Sequence, residues 1–231
     1  VPVAVQAGVA EWLPLEDESV DGAVQCLVMC SLPDRAAALS EIDFTANPLI
    51  DPGLIHTLAK GSWIRAGQPL CLIRDSGTEK SHLLIGLGIA AAEARFRVRY
   101  VTAAALVNEL VEAADDKHLS RTIARYGRVD LLCLDELGYL ELDRRGAELL
   151  FQVFTEREER ASVAVASNSA LSEWARTFTD PRLCPAIVDR ITFEANIIET
   201  GTQSYRLRSS QRKHAKTSTR RDRKASAGGP P

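Results

Sequence analysis

Between Pro69 and Ala166 the chain switches repeatedly between two hydrophobic periods. Strand-type runs at Leu70–Ile73, Arg97–Val101, Val129–Leu134 and Val163–Ala166 are separated by longer stretches with apolar residues at helical spacing. Asp130 alone breaks the third run. The spacing predicts helices from about Lys80 to Ala94, from Ala104 to Asp115 and from Leu119 to Tyr126. A further helix is predicted over Arg145–Glu159, with Leu149, Leu150, Val153 and Phe154 on its apolar face. Strands alternating with helices predict an α/β fold, a parallel sheet with helices on both faces.

The flanks are less regular. Asn47-Pro48 and Asp51-Pro52-Gly53 are turn signals, followed by a short helical stretch, Leu54–Ala59, and an apolar anchor, Trp63. Residues 1–42 read as a small α/β piece: a strand at Val1–Val5, an apolar run at Val20–Cys30 and a short helix opened by Pro33-Asp34. Four segments result: 1–42, a leading segment 43–66, an α/β domain 67–207 and a tail 208–231.

Charge separates the tail from the rest. Its eight basic residues against Asp222 give it a net +7, and residues 1–207 then carry −10 of the overall −3. Rich in Ser, Lys, Arg, Gly and Pro, the tail lacks the apolar surface to fold and is expected to be disordered and to meet nucleic acid. No apolar run reaches the length of about 18 residues that a membrane span needs. Without a signal-peptide pattern at the N-terminus, a cytoplasmic protein is expected. The first residue is Val1, as with an alternative start codon or a fragment. The five cysteines, Cys26, Cys30, Cys71, Cys133 and Cys184, form no CxxC pair, and Cys71 and Cys133 read as small buried hydrophobes.

Candidate chemistry begins at the first strand–helix turn, Arg74-Asp75-Ser76-Gly77-Thr78-Glu79-Lys80-Ser81. A phosphate-binding loop has the pattern G-x-x-x-x-G-K-S/T. Lys80 and Ser81 fit it, whereas Arg74 and Glu79 hold the two glycine positions. In such a loop backbone N–H groups surround the phosphates, the Lys neutralises their oxygens and the hydroxyl holds Mg²⁺. Glu79 adds bulk and negative charge: at about 5 Å and an effective dielectric of about 20, one like-charge contact costs roughly 3 kcal/mol. The other reading is a plain strand–helix connection with an incidental Lys-Ser.

Val129–Leu134 runs into Asp135-Glu136, the form of a strand whose first acid reaches Mg²⁺ and whose second polarises an attacking water. Acids at that end of a parallel strand sit at the ligand-binding edge; a helix-start cap is the alternative. Asn168, after Val163–Ala166, either orients a water or γ-phosphate oxygen or forms a turn. Arg190, after a short helix, either serves a neighbouring subunit's nucleotide or is a surface Arg. His82 reads as an exposed residue of a helix's first turn.

Taken together, Asp43–Leu207 resembles the IstB-like ATP-binding family of AAA+ proteins, kin of the DnaC helicase loader. The resemblance rests on Ala46-Asn47-Pro48, Asp75-Ser76-Gly77-Thr78, Lys80-Ser81-His82, Asp135-Glu136-Leu137-Gly138-Tyr139, Ser167-Asn168, Asp189-Arg190 and Ser204-Tyr205-Arg206-Leu207. It implies a P-loop AAA+ core that binds ATP and Mg²⁺ and assembles as a homo-oligomer on DNA with a transposase during insertion-element transposition. It also implies nucleotide binding by Gly77, Thr78, Lys80 and Ser81, metal binding by Ser81 and Asp135, and catalytic roles for Glu136, Asn168 and Arg190. The chain departs from the family at Arg74 and Glu79, so a catalytically dead relic is the rival expectation. In residues 1–42, Ala10–Leu15, Ser19-Val20-Asp21 and Ser31-Leu32-Pro33-Asp34 resemble a class I methyltransferase fragment without its cofactor loop.

Overall fold

A computed structural model of the chain describes residues 39, 44, 47–75, 79–139 and 141–201. The strands and helix expected within 1–42, the tail 208–231, and Gly77 and Thr78 lie outside these described residues.

Among the described residues five parallel strands form one sheet in the order β2-β3-β4-β1-β5. They are β1 (Leu70–Ile73), β2 (Val98–Thr102), β3 (Leu131–Leu137), β4 (Ser162–Ser167) and β5 (Asn196–Glu199). In β3, Leu132 and Leu134 enter one apolar cluster with Leu106, Leu110, Val153 and Ile187; Leu131 and Cys133 enter another with Trp63, Leu83 and Leu84. Burial of both faces explains why the central strands read as nearly unbroken apolar runs.

One layer holds α1 (Pro52–Ala59), α2 (Ser62–Arg65) and α3 (Lys80–Glu93); the other holds α4 (Ala103–Asp115), α5 (Leu119–Gly127), α6 (Arg144–Arg157) and α7 (Leu183–Thr192). Helix starts are marked by side chains that accept otherwise unpaired N–H groups. Asp51 accepts from Gly53 at 2.8 Å, Thr102 from Ala105 at 3.3 Å and Asp143 from Gly146 at 2.7 Å. Trp63 is the expected anchor, 3% exposed, with its indole N–H donating to the Leu58 carbonyl. Cys71 and Cys133 are buried, and burial pushes the Cys71 thiol up to about 12.

Three features differ from the sequence-based expectation. β3 extends through Asp135 and Glu136 to Leu137. Leu134 pairs with Val165 and Leu137 with Ser167, so β3 carries one extra residue, a bulge. β5 was not expected: it is a four-residue edge strand in which only Ile198 is buried. Asp189 and Arg190 lie within the last turns of α7 rather than after a helix. Among the described residues no helix is long and apolar enough to cross a membrane.

Candidate nucleotide site

Because every strand is parallel, the C-terminal ends of β1, β3 and β4 share one edge of the sheet. The turn after β1 and the acids of β3 are therefore neighbours.

The turn keeps a backbone suited to glycine. Arg74 has φ 120° and Glu79 has φ 63°. Residues with a Cβ held in such regions cost on the order of 1–3 kcal/mol each. These are the two positions where the phosphate-loop pattern has glycine. At these two positions the backbone thus keeps the conformation that favours glycine. Glu79 is also the N-cap of α3, with no side-chain bond to the helix start, and its carbonyl accepts from the Leu83 N–H at 2.9 Å.

Arg74 does not turn its charge toward the phosphate position. Its Nε and Nη2 donate to Glu199 Oε2 of β5, at 3.1 and 2.7 Å. The side chains are 38% and 55% exposed, so this pair contributes at most about 1 kcal/mol.

Lys80 opens α3 and is 4% exposed. Its Nζ donates to the Asp75 carbonyl at 2.6 Å. Burial pushes its pKa from 10.5 down to about 8, against the opposing pull of Asp135 and Asp75. Asp135 is close enough for its charge to act on Lys80, and is itself 4% exposed. Asp135 Oδ1 accepts from the Glu136 N–H at 2.8 Å. Glu136, at φ 59° in the bulge, is exposed. The extra residue in β3 thus separates the two acids, one buried beside Lys80 and one in solvent.

Ser81 is half-buried in the first turn of α3. His82 is also half-buried, not exposed, and its Nε2 is buried without a hydrogen-bond partner among the described residues. α3 is packed on nearly every side, with Leu83, Leu84, Ile85 and Leu87 all buried, which leaves little solvent around its first turns.

Asn168 is half-buried one residue beyond Ser167, which pairs with Ile73 of β1 and Leu137 of β3. It therefore follows a strand lying between β1, whose turn leads to Lys80, and β3, which carries Asp135. The preceding Ser167 accepts from the Trp174 indole N–H at 3.0 Å and from the Ser169 N–H at 3.3 Å. Trp174 is fully buried, so this loop is fixed by the core.

Arg190 is not brought to this edge. Its guanidinium pairs with Glu158 and lies 4.5 Å over the Phe151 ring. α6 leads from the end of β3 to the start of β4, so Glu158, just after it, lies at the opposite edge of the sheet. In its own chain Arg190 is remote from Lys80.

A buried Lys at a helix N-terminus, a neighbouring hydroxyl and a buried carboxylate match the donors that a Mg²⁺–polyphosphate needs; the Glu79 carboxylate does not. Among the described residues no group of three or more His, Cys, Asp or Glu is placed to hold a metal, so a divalent ion here needs phosphate oxygens as further ligands.

The sequence model of the IstB-like ATP binding protein family matches residues 20–213. The chain belongs to this family. Its match begins inside the segment 1–42 that the sequence reading set apart, and the comparisons lend the methyltransferase-like fragment no support. Relatives include an ATP-binding protein assigned to an insertion sequence in Sinorhizobium fredii, 35% identical over 172 residues, covering 74% of this chain and 58% of the relative. The ATP-binding protein assigned to insertion sequence IS21 of Pseudomonas aeruginosa is 32% identical over 170 residues, covering 74% and 64%. That assigned to IS5376 of Geobacillus stearothermophilus is 32% identical over 185 residues, covering 80% and 74%. The chain thus spans less than two thirds of the first two relatives. Among solved structures, AMPPCP-bound DnaA of Aquifex aeolicus matches with TM-score 0.55 and 23% identity, covering 65% of this chain and 47% of DnaA. DnaI matches with TM-score 0.55 and 22% identity, covering 74% and 90%. The fold of this IstB-like chain is that of the AAA+ P-loop NTPases.

Proposed function

We propose that the chain is an ATP-binding helper of insertion-element transposition whose nucleotide affinity is weakened by Glu79. The observation that carries this reading is the glycine-type backbone at Arg74 and Glu79, kept beside buried Lys80 and Asp135. Lys80 neutralises phosphate charge, Gly77 and Thr78 supply loop N–H groups, and Ser81 and Asp135 hold Mg²⁺. When bound, Mg²⁺ spreads the charge that develops on the phosphates. Glu136, exposed at the strand end, takes a proton from the attacking water; Asn168 orients that water. Arg190 serves the nucleotide of a neighbouring copy, which requires leaving Glu158.

Turnover tests the hydrolytic part. The variant carrying Arg74→Gly and Glu79→Gly is expected to hydrolyse ATP, and adding Glu136→Gln to abolish turnover without weakening binding. A double variant that binds ATP, but whose turnover Glu136→Gln leaves unchanged, would remove Glu136 from the mechanism.

The Lys80 pKa sets a pH window. Free Lys80 loses its proton near pH 8, and bound polyphosphate raises its pKa. In the Glu79→Gly chain ATP affinity is expected to be flat below about pH 8 and then to fall by up to about tenfold per unit. The unliganded fold behaves oppositely: between about 8 and 10.5 the unfolded chain holds the extra proton, so this group makes the fold more stable as pH rises. A pH-independent affinity up to about pH 9.5 would contradict the placement of Lys80 on the phosphates.

The proposed partners are DNA, a transposase and further copies of the chain, in the cytoplasm. With a net +7, residues 208–231 meet DNA phosphates without reading sequence. Truncation after Leu207 should therefore flatten the dependence of DNA affinity on salt. An unchanged slope would assign DNA contact to another part of the chain.

A further inference from the structure

The strand next to the acid pair carries a contact that the motifs do not contain. Tyr100 of β2 pairs in register with Cys133 of β3, two residues before Asp135. Residues two apart on a strand share a face, about 6.6 Å along. A phenol side chain covers that span: the Tyr100 hydroxyl donates to Asp135 Oδ2 at 2.5 Å. Asp135 Oδ1 already accepts from the Glu136 N–H, so each carboxylate oxygen has a donor. The Tyr100 ring is half-buried and packs against Ile85 and Ile89 of α3, the helix that begins with Lys80. One aromatic residue thus touches both the helix carrying the Lys and the carboxylate opposite it.

We infer that Tyr100 is a positioning residue for divalent-ion binding at this site, holding the Asp135 carboxylate in one rotamer. The inference rests on the Mg²⁺–nucleotide reading above and deepens it. Donors to a metal-binding carboxylate fix its orientation, and their loss typically lowers metal affinity about 10–100-fold. A core tyrosine whose hydroxyl was merely satisfied by Asp135 would matter for stability and not for the ion.

The test is Tyr100→Phe in the Glu79→Gly chain, with ATP affinity measured by calorimetry in Mg²⁺ and in EDTA. Mg²⁺ is expected to strengthen ATP binding in the Glu79→Gly chain. Tyr100→Phe should reduce that gain about tenfold, leaving the EDTA affinity and the melting temperature nearly unchanged. In an Asp135→Asn background the same substitution should change nothing further. An undiminished Mg²⁺ gain in the Tyr100→Phe variant would overturn the role of Tyr100 and leave the nucleotide reading standing. Equal losses in Mg²⁺ and in EDTA would show a general disturbance of the site and also overturn it. Absence of ATP binding by the Glu79→Gly chain under both conditions would overturn both.

Discussion

Replacing Arg157 with alanine is expected to lower the unfolding free energy by about 3–5 kcal/mol. For a chain of this size that is a fall in melting temperature on the order of 10 °C. Arg157 ends α6 and is 1% exposed. Its Nη1 donates to the carbonyls of Tyr126 and Val129, and its Nη2 to that of Ser162 at 2.7 Å. One guanidinium thereby joins the end of α5, the approach to β3 and the start of β4. Burial lowers its pKa to about 10, so it stays charged at neutral pH and relies on those carbonyls in place of water. Alanine removes all three bonds, takes a charged donor from these carbonyls and opens a cavity. Arg157→Met fills most of that volume and removes the charge, so a smaller loss is expected. Urea unfolding of the two variants beside the parent checks the order; a loss under about 1 kcal/mol for alanine would show that water replaces the guanidinium.

Arg157 also shows where sequence reading stops. Its helical period places it on the apolar face of α6, four residues after Val153 and three after Phe154, but nothing local marks the three carbonyls that receive its charge. β5 escaped because an edge strand with one buried residue, Ile198, has no apolar run to detect. The bulge in β3 was illegible because one inserted residue changes pairing without changing hydropathy. The four other strands were legible because each is buried on at least one face between clear helical periods. Within the site, Lys80 and Asp135 were visible as a strand–turn–helix and a strand ending in acids. Tyr100 and the Ser167–Trp174 bond were not, since each joins residues whose proximity only the folded sheet creates.

The second large effect is expected at Glu79. At about 5 Å from the phosphates and an effective dielectric of about 20, its negative charge is expected to cost roughly 3 kcal/mol of nucleotide affinity, about a hundredfold. Its φ of 63° adds a backbone cost of about 1 kcal/mol that a glycine would not carry. Glu79→Gly removes both, so it should tighten ATP binding about a hundredfold and raise stability slightly. Glu79→Gln removes the charge but keeps the bulk and the strain, so it should recover part of the affinity and none of the stability. Arg74→Gly should add less than either, because Arg74 is held by Glu199 and has no negative charge to remove. If Glu79→Gln binds no better than the parent while Glu79→Gly does, bulk rather than charge sets the defect.

Calorimetric titration of Mg²⁺·ATP into the parent and into the Glu79→Gly variant, in one buffer near pH 7, tests the central claim most directly. The expected result is a parent Kd on the order of 100 micromolar or weaker and a variant Kd near the micromolar range. A parent that already binds at low micromolar concentration, or a glycine variant that binds no more tightly than the parent, would contradict it.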